Sequence, residues 1–196
     1  MNKNFDYKFK CIFFGNYGVG KSSLMYRYGE GDMFKAHEAS FGGFLSKTIK
    51  LLGKEIKLML YDSCGAERFR ILTEPFYRET KVGFLLFDLS RRESLKGIEK
   101  SYIEPFFDFT AKNKSEGSIL ILIGNKTDLI NGDSHEVRKI ALQIAFKFNL
   151  QYFETSAKTG DSVEKTISTA INECVIKEEK KKIKAEKKKN NNCVII

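Results

Sequence analysis

Residues 15 to 22 read Gly-Asn-Tyr-Gly-Val-Gly-Lys-Ser, with glycine, glycine-lysine and a hydroxyl residue at the spacing G-x-x-x-x-G-K-S. Glycines let a backbone fold tightly, so the amides running from Gly15 through Asn16, Tyr17, Gly18, Val19 and Gly20 to Lys21, Ser22 and Ser23 can close around an anion. Lys21 then brings a cation to phosphate oxygens, and the Ser22 hydroxyl is a suitable ligand for Mg²⁺. Together these groups predict binding of a nucleoside triphosphate. The flanks agree, since Phe9, Cys11, Ile12, Phe13 and Phe14 read as a buried parallel strand and the run from Ser22 to Tyr28 opens a helix.

Two later segments point to the base. After the apolar run Ile119 to Gly124 comes Asn125-Lys126-Thr127-Asp128, and after a later strand comes Glu154-Thr155-Ser156-Ala157-Lys158. Both fall at C-terminal ends of strands, where open α/β sheets bind ligands. The Asp128 carboxylate can accept from the ring N1–H and the exocyclic amino group of guanine. Adenine has no such donor pair on that edge, so a site built this way rejects it.

The elements that must position these groups follow from the hydrophobic pattern. Strands are predicted near 8–15, 44–52, 55–62, 82–88, 118–124 and 150–155, and helices near 20–28, 67–78, 92–111, 133–149 and 162–185. Alternation of the two predicts an α/β fold with a six-stranded, mostly parallel sheet flanked by five helices. The step Leu51-Leu52-Gly53-Lys54-Glu55 is too short for a crossover, so its two strands form the one antiparallel hairpin. The expected partition is an N-terminal extension over 1–7, a nucleotide-binding domain over 8–176 and a flexible lysine-rich tail over 177–196.

With 42% hydrophobic residues in 196, the chain is a folded domain. No stretch reaches the roughly eighteen apolar residues of a membrane span, and the start Met1-Asn2-Lys3-Asn4 resembles neither a signal peptide nor a myristoylation site. A cytosolic protein is expected. Cys11, Cys64, Cys174 and Cys193 show no metal-ligand spacing, and the apolar context of Cys11 and Cys174 makes them reduced core thiols. The net charge of +9 is concentrated in the tail, where Lys177 to Lys189 holds eight lysines against three glutamates. No aromatic residue is interleaved to stack on bases, which argues against nucleic acid. The chain then closes on Cys193-Val194-Ile195-Ile196, a C-a-a-X pattern for a prenyltransferase. A single lipid anchors weakly, and a polybasic run attracted to anionic lipid supplies the second signal. The expected location is the cytoplasmic face of a membrane, with a cytosolic pool.

The chain resembles the Ras superfamily of small GTPases, and within it the Rab family, from about Tyr7 to Ile176. The resemblance rests on the phosphate loop and on Asp62-Ser63-Cys64-Gly65-Ala66-Glu67-Arg68-Phe69-Arg70, similar to D-T-A-G-Q-E-R-F-R. It rests also on Phe76-Tyr77-Arg78, similar to Y-Y-R, and on the NKTD and ETSAK segments. It implies a switch that binds GTP and GDP with Mg²⁺ and has two loops ordered by the γ-phosphate. By that resemblance Ser22 ligates the metal and Asp62 holds it through water, while the Gly65 amide meets the γ-phosphate. Asn125, Lys126 and Asp128 would grip guanine, with the Ala157 amide on its O6 and Ser156 and Lys158 in support. Effectors, an exchange factor and a GTPase-activating protein would engage the switch loops of a monomer.

Departures from the family are informative. Ala66 stands where the family has the glutamine that orients the attacking water, so hydrolysis should be slow and no catalytic side chain is intact. Tyr17 occupies a usually small position facing the γ-phosphate, where its ring either crowds an incoming arginine finger or the switch loops, or turns to solvent. In the first switch loop, one residue is missing before Asp62 relative to the Rab pattern. The metal-binding hydroxyl therefore falls on Ser40 or is replaced by Ala39, and the ring flanking the base is ambiguous between Met33 and Phe34. Gly42 and Gly43 remove side chains from the stretch that effectors usually read. Two readings follow: a prenylated, slowly hydrolysing switch in vesicle traffic or signalling, or a pseudo-GTPase that holds nucleotide as a tethered binding module without cycling.

Overall fold

Continuous apolar runs become central strands, and runs that alternate become edges. In the computed structural model, which describes residues 5–32, 43–63, 77–113, 117–130 and 135–192, the strands are β1 (Tyr7–Gly15), β2 (Phe44–Leu51), β3 (Lys54–Asp62), β4 (Thr80–Asp88), β5 (Ile119–Asn125) and β6 (Gln151–Glu154). They form one six-stranded sheet in the order β2-β3-β1-β4-β5-β6. β5 is buried at every position, whereas β2 alternates between exposed and half-buried, as an edge strand should. β2 and β3 pair antiparallel and the other neighbours pair parallel. The hairpin turns at Leu52 and Gly53, whose φ values of 50° and 71° are both left-handed, the signature of a tight two-residue turn matching strand twist.

The helices among the described residues are α1 (Lys21–Glu30), α2 (Glu104–Lys112), α3 (His135–Lys147) and α4 (Val163–Asn192). They cover both faces of the sheet. On one face Phe9, Phe13, Leu58, Phe84 and Ile121 meet Leu24 and Met25 of α1 and Ile167, Ile171 and Cys174 of α4. On the other, Phe14, Leu85, Phe87 and Leu122 meet Phe106 of α2 and Ala141 and Ile144 of α3. Because successive side chains of a strand point to opposite faces, Phe13 and Phe14 serve different cores. Cys11 and Cys174 are free and buried, and burial pushes the Cys174 thiol up to about 12, so both are inert core residues.

Three expectations need correction or restriction. The helix predicted over 92–111 is broken: a short 3-10 turn at Arg92–Leu95 ends at Gly97, whose φ is 72°, and a π turn at Glu99–Ile103 leads into α2. Pro105 has no N–H for the Ser101 carbonyl, and the wider turn just ahead of it lies where the regular ladder is interrupted. The helix predicted over 162–185 is also longer than expected, because α4 continues to Asn192, through most of the lysine-rich segment. Tyr7 helps to hold it there: its hydroxyl donates to Glu179 and accepts from Lys182 Nζ at 2.8 Å. Of the helix predicted over 67–78, only Tyr77 and Arg78 lie among the described residues.

Candidate functional site

The phosphate loop joins β1 to α1 at the C-terminal edge of the sheet. Gly15, Gly18 and Gly20 have φ values of 138°, 74° and 94°, so each adopts a conformation that side-chain-bearing residues rarely take. Space is short as well. A Cβ on Gly20 would lie 2.4 Å from Asn125 Nδ2, and one on Gly15 would lie 2.2 Å from the Leu86 carbonyl. Lys21 is buried, and its ammonium donates back to the carbonyls of Gly15 at 3.0 Å and Asn16 at 3.1 Å. It thus spans the loop it follows. Tyr17 is 70% exposed, so its ring turns to solvent.

The Ser22 hydroxyl at the start of α1 donates to Asp62 Oδ2 at the end of β3. Asp62 is buried, and its backbone amide donates to the Gly43 carbonyl at 2.9 Å. A hydroxyl and a carboxylate in contact at the foot of the phosphate loop are hard oxygen donors, and they fit Mg²⁺. Gly43 has a packing reason to lack a side chain, since a Cβ there would lie 2.8 Å from the Met25 methyl and 3.3 Å from the Tyr26 ring.

Asn125, at the end of β5, and Lys126 after it bond to the neighbouring loops. Asn125 Nδ2 donates to the Val19 carbonyl at 2.9 Å, while its Oδ1 accepts from Thr155 Oγ1 at 3.2 Å and from the Ala157 amide at 3.1 Å. Lys126, at a left-handed φ of 70°, donates to the Gly18 carbonyl at 2.7 Å and pairs with Asp88 at 2.8 Å. Asn125 and Lys126 therefore tie the phosphate loop to the ETSAK turn and to the end of β4. The Ser156 hydroxyl donates to the Asp128 carboxylate. Ser156 in turn accepts from the Thr159 amide at 3.1 Å, so the ETSAK turn orients the carboxylate's neighbour.

Some residues of the site were missed in the sequence. Asp88, buried at the end of β4, joins the base segment to the rest of the sheet. Burial works to raise its pKa, but hydrogen bonds from Lys126 and Ser90 outweigh that and hold the carboxyl below its ordinary value. Its position at a strand's C-terminal end is the signal that could have found it. Arg27 of α1 donates to the carbonyls of Ala157, at 2.7 Å, and Lys158, at 2.5 Å, bracing the turn from behind. Nothing in its local sequence marks it, because the contact crosses 130 residues.

This arrangement, a phosphate loop on β1, an acidic residue closing β3, and the NKTD and SAK segments at the ends of β5 and β6, coincides with a family match over residues 10–176 to the Ras family. The chain belongs to the Ras family. Relatives agree on the branch. It is 34% identical over 169 residues to the Ras-related protein Rab-1 of Theileria annulata, covering 85% of this chain and 74% of that one. It is 31% identical over 170 residues to the GTP-binding protein ypt1 of Schizosaccharomyces pombe, covering 86% and 81%. To human Ras-related protein Rab-30 it is 35% identical over 168 residues, covering 83% and 78%. It is a divergent Rab-like member of this family of small GTPases.

The expectations for Met33, Phe34, Ser40, Gly65, Ala66 and Cys193 concern positions outside the described residues. Among the described residues, no helix is long and apolar enough to cross a membrane.

Proposed function

We propose that this Rab-like protein is a membrane-tethered guanine-nucleotide switch that hydrolyses GTP slowly and recruits effectors in vesicle traffic or signalling. The observation that carries the reading is the convergence at one sheet edge of the phosphate loop, the Ser22–Asp62 pair and Asp128 with its Ser156 partner. Amides of the loop and the Lys21 ammonium would hold the phosphates, and Asp128 would select guanine. Ser22 and Asp62 would hold Mg²⁺, which supplies charge to neutralise phosphate oxygens. Preorganised donors of this kind stabilise a developing negative charge without reorganising. What the chain lacks is a side chain at Ala66 to orient water, and so the binding machinery is retained while the hydrolytic step is weakened.

The absent glutamine also favours the second reading, a pseudo-GTPase that does not cycle. Cys193 would carry the prenyl group after action of a prenyltransferase, and the lysines of α4 would add attraction to anionic lipid.

A competition titration of GTP, GDP and ATP on the purified protein tests the nucleotide assignment. Asp128→Ala should weaken guanine nucleotides about thirty- to a hundred-and-fiftyfold, since a hydrogen-bonded charge is worth about 2–3 kcal/mol. Equal affinity of the wild type for GTP and ATP would refute the reading, and GTP that is bound but never hydrolysed or released would select the pseudo-GTPase.

A further inference from the structure

The loop leaving β4 passes beside the phosphate loop, and Arg91 stands on it with its backbone fixed at both ends. Its amide donates to the Asp88 carbonyl at 3.0 Å, and its carbonyl accepts from the Ser94 amide at 3.0 Å and the Ser94 hydroxyl at 2.7 Å. From that anchored base the guanidinium reaches the Tyr17 carbonyl, with Nη2 at 3.1 Å. It lies alongside Gly18 as well, where an added Cβ would stand 3.6 Å from the same nitrogen.

A trans peptide is planar, so each carbonyl points opposite to the next residue's amide. In the phosphate loop this couples outward bonds to inward amides. The Tyr17 carbonyl is held by Arg91, the Gly18 carbonyl by Lys126 at 2.7 Å and the Val19 carbonyl by Asn125 at 2.9 Å. Consecutive peptide planes are thereby fixed, and the amides of Gly18, Val19 and Gly20 face away from those donors. Successive amides on one side of a loop form a nest for an anion. Lys126 and Asn125 reach the loop from the segment after β5, but Arg91 comes from a separate one. The same segment anchors the residue before Tyr17, with Asn16 Nδ2 donating to the Ser94 carbonyl at 2.8 Å.

We propose that Arg91 is a positioning residue for nucleotide retention: by holding the Tyr17 carbonyl it turns the Gly18 amide toward the phosphates, completing a set of donors with Lys126 and Asn125. This deepens the guanine-nucleotide reading and rests on it. Because Arg91 acts only on the phosphate end, it should govern how long nucleotide stays bound and leave the choice of base alone.

The experiment measures release of fluorescent GDP and of a non-hydrolysable GTP analogue from the full-length chain, alongside the GTP-to-ATP affinity ratio. Arg91→Ala should speed release of both by about fivefold, equivalent to about 1 kcal/mol for one net hydrogen bond. Arg91→Lys, which keeps a cationic donor, should restore most of the retention, and the GTP-to-ATP ratio should match wild type in both. Release unchanged in Arg91→Ala overturns the proposal. So does a fall in base discrimination that parallels faster release, because that marks general loosening of the site. A wild-type chain that binds no guanine nucleotide would instead sink the functional reading, a failure visible before any variant is made.

Discussion

Lys126 and Asp88 form an ion pair of 2.8 Å that joins the segment after β5 to the end of β4, while the same ammonium donates to the Gly18 carbonyl at 2.7 Å. One lysine thus ties the NKTD turn, the sheet and the phosphate loop together. Asp88 is buried and Lys126 is half-buried, which gives the pair more weight than a fully exposed ion pair has.

Asp88→Asn should therefore lower stability at neutral pH by about 2 kcal/mol, the scale of a charge-assisted hydrogen bond. The sign with pH follows from the lowered carboxyl pKa in the folded state. Stabilisation is fully present above the unfolded value of about 3.9 and is lost as pH falls through the lower folded value. Urea unfolding of wild type and variant at several pH values should show curves that differ near pH 7 and converge in acid. A constant gap down to acid would mean that the ion pair contributes nothing.

Ala66→Gln should raise the single-turnover rate of GTP hydrolysis by an order of magnitude or more, as restored water positioning predicts (about tenfold per 1.4 kcal/mol). Since the Tyr17 ring already turns to solvent, Tyr17→Gly should change that rate little. A wild-type rate equal to that of glutamine-bearing members of the family would refute the argument from Ala66.

Cys193→Ser should move the full-length protein from membranes to the soluble fraction, because one lipid chain supplies the main anchor and the lysines only assist. Raising salt should weaken binding of the lipidated form in part, as screening reaches only the lysine contribution. Sedimentation of the Cys193→Ser protein with membranes at moderate salt would show that the lysine-bearing helix suffices by itself.

Local chemistry determined much of this protein. Strand positions, the Leu52-Gly53 hairpin, the phosphate loop and the family itself were legible in the sequence, because periodicity, glycine placement and short motifs act over a few residues. The break in the helix predicted over 92–111 also had a local cause, in Gly97 and Pro105, although its apolar period concealed it. The extent of α4 did not, because its lysine-rich end reads as solvated tail until Tyr7, distant in sequence, is seen against Glu179 and Lys182. The division of labour within the site was tertiary too. Asn125 and Lys126 carry the residue types of a base-binding motif, and only folding brings to them the carbonyls of Val19 and Gly18, more than 100 residues earlier. Arg27, Asp88 and Arg91 have no motif at all. They matter because folding brings the C-terminal ends of β1, β4 and β5 to one edge, where a buried charge or an orphan carbonyl must find a partner across the sheet.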